Sequence, residues 1–397
     1  MSQFYNILMY SHDTYGLGHI RRSMAIASHL RNPSINILIL TGSTIVGRFS
    51  LPNQIDFVRI PGMIKMTNEE YLPLSIKIDP EHALHIRKNI IKTTAKTFRP
   101  DLFIVDKEPL GLKKEILPTL KWLRQSLPNT RTVLGLRDIM DEASVIRKDW
   151  KKKGVYKAME GLYDEIWVYG IREFYDPIKE YSIPESVGRK MVFTGYIPRK
   201  VPRKKRIEKI SKKHAGDDGK KLVLVTAGGG GDGYAMMDAF LAMLESDTPP
   251  CPFKTVCITG PFMPKKQRDK ISERARRLGV RTWKFYARME EIIAAADLVV
   301  SMGGYNTVCE VLTQGTVALI IPRENPRKEQ LIRAQMFSSL NMVDYIPLDS
   351  STPQLLREKI LDLLEHPEPY KKAVSQFRMT GFEIMRQRLQ AFRDKEA

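Results

Sequence analysis

Residues 4–30 read FYNILMYSHDTYGLGHIRRSMAIASHL. The opening FYNILMY is a strand-length, mostly apolar run. From Ile20 onward, Ile20, Met24, Ile26 and Ala27 define one apolar face of a helix. Between them lies a turn with two glycines, Gly16 and Gly18, followed by His19. A glycine turn from strand to helix brings backbone N–H groups close to an anion, and the positive end of the helix dipole favours that charge. The same dipole disfavours an imidazolium at His19, so a neutral ring there can take a proton. Contacting a phosphate and capping the helix are the other roles open to His19. His12 and Asp13 are alternative bases, and Arg21 and Arg22 are placed to meet either a substrate phosphate or solvent.

The strand–turn–helix unit recurs along the chain. In the first half the strand runs are FYNILMY, INILIL (35–40), IDFVRI (55–60), DLFIVD (101–106), TVLGLR (132–137), EIWVYG (165–170) and MVFTG (191–195), with helical patterns around 20–30, 81–97, 111–126 and 142–161. The second half restarts with KLVLVTA (221–227), then KTVCITG (254–260), RTWKFYA (281–287), DLVVSMG (297–303) and TVALIIP (316–322), again separated by helical patterns. Strands alternating with helices imply parallel sheets with right-handed crossovers. The expected fold is α/β: two Rossmann-like domains facing across a cleft. Residues 1–198 form the first, 199–219 a basic linker and 220–370 the second. Residues 371–397 are expected to be a helix that crosses back onto the first.

The chain of 397 residues carries a formal net charge of +19, which attracts polyanions. Residues 199–213, RKVPRKKRIEKISKK, concentrate that charge. They read either as a solvated linker or as a contact for an anionic membrane surface. The stretch has no interleaved aromatics and no nucleic-acid module is evident, so a nucleic-acid partner is disfavoured. Cys251, Cys257 and Cys309 have neither disulfide nor metal spacing, there is no secretory leader pattern, and apolar runs are strand-sized. A cytoplasmic location, with peripheral contact to the inner membrane face, is the expectation.

Two more glycine turns fall where strands end, which is where open α/β sheets bind ligands. In TAGGGGDGY (226–234), Gly229, Gly230 and Gly231 let backbone amides close on a phosphate or diphosphate. No Gly-Lys-Ser/Thr follows, and the spacing misses the dinucleotide fingerprint. In SMGGYNTVCEVLTQG (301–315), a helix starts near Tyr305 with Gly304, Asn306 and Thr307 around its free amides. Glu310 follows on or near the same face, where a carboxylate can accept both hydroxyls of a ribose. The segment PRENPRKEQLIRAQ (322–335) follows the next strand and offers Glu324, Asn325, Glu329 and Gln330 to sugar hydroxyls. Asp106, Lys107 and Glu108 follow strand 101–106, and Arg137, Asp138 and Asp141 follow strand 132–137. Asp106 or Asp138 could orient the base at His19.

These residues resemble the donor domain of GT-B glycosyltransferases, nearest to the peptidoglycan-type transferases that move N-acetylglucosamine from UDP to a lipid-linked acceptor. About 50 residues carry the resemblance, KFYARMEEIIAAADLVVSMGGYNTVCEVLTQGTVALIIPRENPRKEQLIRAQ. It implies that the backbone at Phe285, Tyr286, Ala287 and Arg288 receives the base. It places Gly304, Tyr305, Asn306 and Thr307 on the diphosphate, Glu310 on the ribose, and Glu329 and Gln330 on the sugar. His19 would lie near acceptor and phosphates. Many small-molecule members place a histidine just before the diphosphate-binding glycine, whereas Ser301 and Met302 stand here. Relatives often carry Gln-Gln or His-Gln where this chain has Glu329-Gln330.

The expected activity is inverting transfer of a sugar from a nucleotide-diphosphate donor to a glycan or lipid-linked acceptor. The nucleotide sugar is a co-substrate and no other cofactor is expected. No Asp-x-Asp metal signature is present, so no essential metal is expected. GLGHIRR also resembles the GxGHxxR turn of UDP-sugar hydrolases, and nucleotide-sugar 2-epimerases share the architecture. Both remain alternatives.

Overall fold

A computed structural model of the chain describes residues 4–13, 17–65, 70–216, 219–246 and 250–394. The chain divides into two compact units, residues 1–197 with 380–397, and residues 198–379.

The first unit holds β1 (Tyr5–Ser11), β2 (Ile35–Thr41), β3 (Ile55–Arg59), β4 (Met63–Lys65), β5 (Tyr71–Pro73), β6 (Leu102–Asp106), β7 (Arg131–Arg137), β8 (Glu165–Tyr169) and β9 (Met191–Phe193). Seven of these form one sheet in the order β3-β2-β1-β6-β7-β8-β9, while β4 and β5 make a small antiparallel ribbon. Every pairing in the large sheet is parallel. The central strands explain why: LFIVD and EIWVY are buried along their whole length, as strands covered by helices on both faces must be. Glu165 is tolerated in such a strand because Arg388 pairs with its carboxylate and the Trp167 indole donates to it at 2.9 Å.

The second unit holds β10 (Lys221–Thr226), β11 (Phe253–Ile258), β12 (Arg281–Trp283), β13 (Leu298–Ser301), β14 (Val317–Ile320) and β15 (Asp344–Tyr345), in the order β12-β11-β10-β13-β14-β15 and again all parallel. This is the doubly wound order, in which the order of successive strands across the sheet reverses beside the first strand. The switch points are therefore β1/β6 in one unit and β10/β13 in the other. The glycine turns of 226–234 and 301–315 leave β10 and β13.

Several expectations are corrected. The stretch expected to be a basic linker, 199–219, holds a helix of the second unit, Lys204–Ala215, with Ile210, His214 and Ala215 buried. RTWKFYA is a strand only over Arg281–Trp283, and residues 284–288 turn away as a loop. The helix read over 142–161 breaks at Gly154, whose φ of 69° ends Ala143–Lys153 and starts Val155–Leu162. The C-terminal stretch is two helices, not one. Glu368–Gln376 belongs to the second unit and Gly381–Arg393 to the first. The latter is held by a His29–Phe382 ring stack at 4.1 Å and by the Thr380 hydroxyl donating to the Thr194 carbonyl at 2.9 Å. Among the described residues no helix is long and apolar enough to cross a membrane.

Candidate functional site

At the β1/β6 switch point, His19 lies in the first turn of helix Gly18–Leu30 and Asp106 is the last residue of β6. Adjacent strands bring them together although 87 positions separate them, with His19 Nδ1 2.5 Å from Asp106 Oδ2. Arg22, one turn further along the same helix, donates from Nε to Oδ1 at 2.9 Å and from Nη2 to Oδ1 at 2.6 Å and Oδ2 at 2.9 Å. Arg22 and Asp106 are almost fully buried, while the His19 side chain keeps 15% exposure.

The electrostatics follow from this packing. Burial alone would raise the Asp106 carboxyl, but Arg22 and His19 outweigh it and hold it well below the usual carboxylate range. Burial lowers His19 to about 4 against the opposing pull of Asp106, so the ring is neutral near pH 7. An ionised Asp106 can only accept, so His19 carries its proton on Nδ1 and leaves the Nε2 lone pair available.

The alternatives fare differently. His12 Nδ1 lies 3.2 Å from the Tyr10 hydroxyl, which donates to Glu115 at 2.5 Å, and Arg87 holds Glu115 with two contacts of 2.6 Å. That network buries His12 and lowers it to about 3, burial being the main cause. Asp13 is also buried, accepts from the Thr41 hydroxyl at 2.5 Å, and is pushed up to about 7 by burial. Asp138 does not join His19: its carboxylate accepts from the Tyr196 hydroxyl and from the Ile139 amide at 2.7 Å. Gly18 begins the helix, and Gly16 lies outside the described residues.

At the β10/β13 switch point, two glycine turns run side by side. Gly228 and Gly230 have φ of 61° and 89°, conformations that favour glycine. A Cβ on Gly230 would sit 2.2 Å from the Thr259 carbonyl oxygen, so this glycine serves packing. Gly228, exposed and 3.7 Å from Thr307 Oγ1 measured from such a Cβ, is the one that runs past the first turn of helix Tyr305–Gln314. Gly229 and Gly231, on either side of Gly230, are half-buried. Gly304 is the N-cap of that helix, with open space beside its Cα. Tyr305 is 2% exposed. Its ring packs under Arg333, 5.8 Å from the guanidinium, which in turn donates to the Gly303 carbonyl at 3.2 Å. Glu310 is buried at 2% exposure on the same helix.

Arg323 ties the next elements together. It contacts Asp232 of the glycine loop, donates to Glu329 at 3.2 Å, and its amide donates to Gln330 Oε1 at 3.1 Å. In loop 284–288 Tyr286 is half-buried against Trp283 and His214, while Arg288 is exposed and donates to Glu291 at 3.2 Å.

One residue escaped the sequence reading. Arg199 was absorbed into the basic run, yet its Nη2 donates to Asn306 Oδ1 at 2.6 Å and its amide to Thr313 Oγ1 at 3.0 Å. Its Nη1 is buried and has no hydrogen-bond partner among the described residues. A buried guanidinium N–H beside a helix N-terminus suits an anionic oxygen.

Two Rossmann-like units of this strand order have the GT-B glycosyltransferase fold. Residues 224–388 match the Glycosyltransferase family 28 C-terminal domain. The chain is 29% identical over 126 residues to the UDP-N-acetylglucosamine–N-acetylmuramyl-(pentapeptide) pyrophosphoryl-undecaprenol N-acetylglucosamine transferase of Streptococcus uberis, covering 31% of this chain and 33% of that protein. Its identity to the protein of the same name from Saccharopolyspora erythraea is 37% over 79 residues, or 20% and 21% of the two chains. The chain thus spans about a third or less of the length of the curated relatives it matches. Among solved structures, Acinetobacter baumannii MurG aligns with a TM-score of 0.59 at 14% identity, over 98% of this chain and 99% of that one. The calicheamicin glycosyltransferase CalG4 aligns with a TM-score of 0.60 at 14% identity, over 99% and 98%. The chain resembles the peptidoglycan-type UDP-N-acetylglucosamine transferases in its second unit and shares the GT-B fold throughout.

Proposed function

We propose that the protein is an inverting glycosyltransferase that moves a sugar from a UDP-linked donor to a glycan or lipid-linked acceptor. The carrying observation is the pair of glycine turns at β10/β13. Gly228 passes the first turn of helix Tyr305–Gln314, Gly304 leaves its entrance open, and Glu310 is buried one to two turns further on. The diphosphate meets that helix N-terminus and Arg199, Glu310 accepts from the ribose hydroxyls, and Glu329 and Gln330 bind the sugar. The base lies along loop 284–288. The similarity of residues 224–388 to a glycosyltransferase C-terminal domain supports this assignment.

In the reaction the acceptor oxygen attacks the anomeric carbon from the face opposite the diphosphate. The C–O bond to the diphosphate breaks, and the electron pair leaves with UDP. His19 Nε2 takes the acceptor proton while Asp106 holds Nδ1–H and stabilises the imidazolium. Helix amides and Arg199 offset the charge developing on the diphosphate, so the step requires no metal. The enzyme works at the inner face of the cytoplasmic membrane.

The test is a thermal-stability scan with UDP, GDP, TDP and their sugars, followed by turnover of the sugar that binds. UDP should raise the midpoint, since a ligand of the folded state alone stabilises it. His19→Ala should retain that shift and lose transfer. No shift with any nucleotide refutes the reading. UDP release that is independent of acceptor would instead make the protein a hydrolase, with water at the same base.

A further inference from the structure

β7 carries a glycine inside a buried central strand. Gly135 stands within RTVLGLR, where a residue with no side chain to pack and a freer unfolded backbone weakens the strand. Its surroundings give the reason. A Cβ on Gly135 would lie 2.6 Å from Tyr169 Cζ, 3.0 Å from Cε2 and nearer still to the hydroxyl oxygen. The β7 backbone is bare at this point so that the Tyr169 ring can lie across it.

Strand register shows where that ring leads. Gly135 is the register partner of Asp106 on β6, and Tyr169, the last residue of β8, is the partner of Arg137. Residues two apart in a strand share a face, so Asp106, Gly135, Arg137 and Tyr169 lie on one side of the sheet. From β8 the ring crosses β7 toward Asp106, and the Arg22 guanidinium carbon stands 5.6 Å from its centre. Tyr169 is fully buried, and its hydroxyl has no hydrogen-bond partner among the described residues. What Tyr169 supplies here is therefore its π face, which attracts a desolvated guanidinium.

Two groups compete for the Asp106 carboxylate. Arg22 holds it with three contacts, and His19 meets it through Nδ1. Arg22 Nη2 also stands 3.1 Å from His19 Nδ1, so its charge opposes a second proton on that ring. The more firmly Arg22 is seated, the less of the Asp106 charge remains to stabilise an imidazolium. We infer that Tyr169 is a positioning residue for His19: its ring, given room by Gly135, seats Arg22 on Asp106 and so keeps His19 unprotonated. Asp106, Arg22, Lys107 and His12 are the charged or titratable groups that face His19, and Glu108 acts on His12 behind it. Asp106, Arg22 and Arg137 are those beside Tyr169. The inference rests on the proposed transferase reading only for the use made of His19 as a base.

The experiment follows the His19 imidazole by NMR of the full chain carrying isotope-labelled histidine, titrated from about pH 7 downward, with His19→Ala identifying the signal. In the wild type the ring should titrate at about 4. Tyr169→Met fills much of the same space without a π face and should raise that midpoint by about one pH unit, the low end of what a neighbouring charge does. Tyr169→Phe keeps the face and should titrate with the wild type. Thermal melting reports folding. Should Tyr169→Met not fold, Gly135→Ala decides in its place, since its methyl group drives the ring off Arg22 and should give the same rise. The acid limb of kcat/KM should move with the NMR midpoint, which a merely structural role would leave where it is. A wild-type midpoint in the folded variant that lacks the seated ring overturns the inference. So does a rise in Tyr169→Phe equal to that in Tyr169→Met. The titration needs no donor, so its failure leaves the transferase reading standing, and failure of the nucleotide scan leaves the titration to decide.

Discussion

Replacing Asp13 by Asn should remove a contribution that weakens the fold as pH rises from about 4 to 7. Asp13 is 6% exposed, and burial pushes its carboxyl from 3.8 to about 7. The hydrogen bond from Thr41 opposes the rise, Asp106 adds to it and Arg87 reduces it. Between about pH 4 and 7 the folded protein therefore keeps a proton that the unfolded chain has released. Its stabilising contribution is complete below the unfolded value and is lost as pH climbs through the folded one. Asn imitates the protonated acid, and its carbonyl can still accept from Thr41. The variant should thus gain on wild type by about 1.4 kcal/mol per pH unit, or about 4 kcal/mol between pH 4 and 7, with no further gain above. His19 and His12 act in the opposite sense. Their lowered values, about 4 and about 3, make stability rise with pH up to the unfolded value of 6.5. Both histidines are present in both proteins, so the difference isolates Asp13. Urea midpoints at steps of about one pH unit, with unchanged m, measure it. A stability difference that is flat across pH 4–7 would mean that Asp13 is ionised in the folded state, and would refute the reasoning.

Asp106→Asn should strand the buried Arg22 guanidinium, lowering stability by about 3 kcal/mol and removing transfer, as read by thermal melting and UDP release. Gly230→Ala should cost about 3 kcal/mol, since its Cβ would meet the Thr259 carbonyl at 2.2 Å. Gly304→Ala should change stability by less than about 0.5 kcal/mol yet weaken UDP roughly tenfold, because the new methyl group occupies the helix entrance. Arg199→Ala should cost about 1.5–3 kcal/mol of UDP affinity by calorimetry, and unchanged binding would remove Arg199 from the donor site. Turnover should continue undiminished in EDTA; complete loss restored by Mn²⁺ would overturn metal independence.

What the sequence made legible, and what it hid, divides along physical lines. Strand alternation is a local signal, so the parallel sheets were readable from runs such as LFIVD and KLVLVT. Charge count misled at 199–219, where nine basic side chains outweighed the helical spacing of Ile207, Ile210 and His214 that packs this segment on the second unit. Arg199 was hidden for the same reason, because its contact to Asn306 spans 107 positions and nothing local marks it.

The choice between Asp106 and Asp138 is the most instructive case. Both are acids at the carboxyl end of a buried strand, and no local feature separates them. Strand order does. β6 is the direct neighbour of β1 across the switch point, so its last residue reaches the turn that carries His19. β7 lies one strand further out, and Asp138 faces Tyr196 near the chain's exit from the unit. In a doubly wound sheet, the strand that pairs with the first across the reversal ends beside the turn that follows the first strand. That rule needs only the topology, so wherever strand order can be inferred from alternation, it singles out the partner before any coordinates exist.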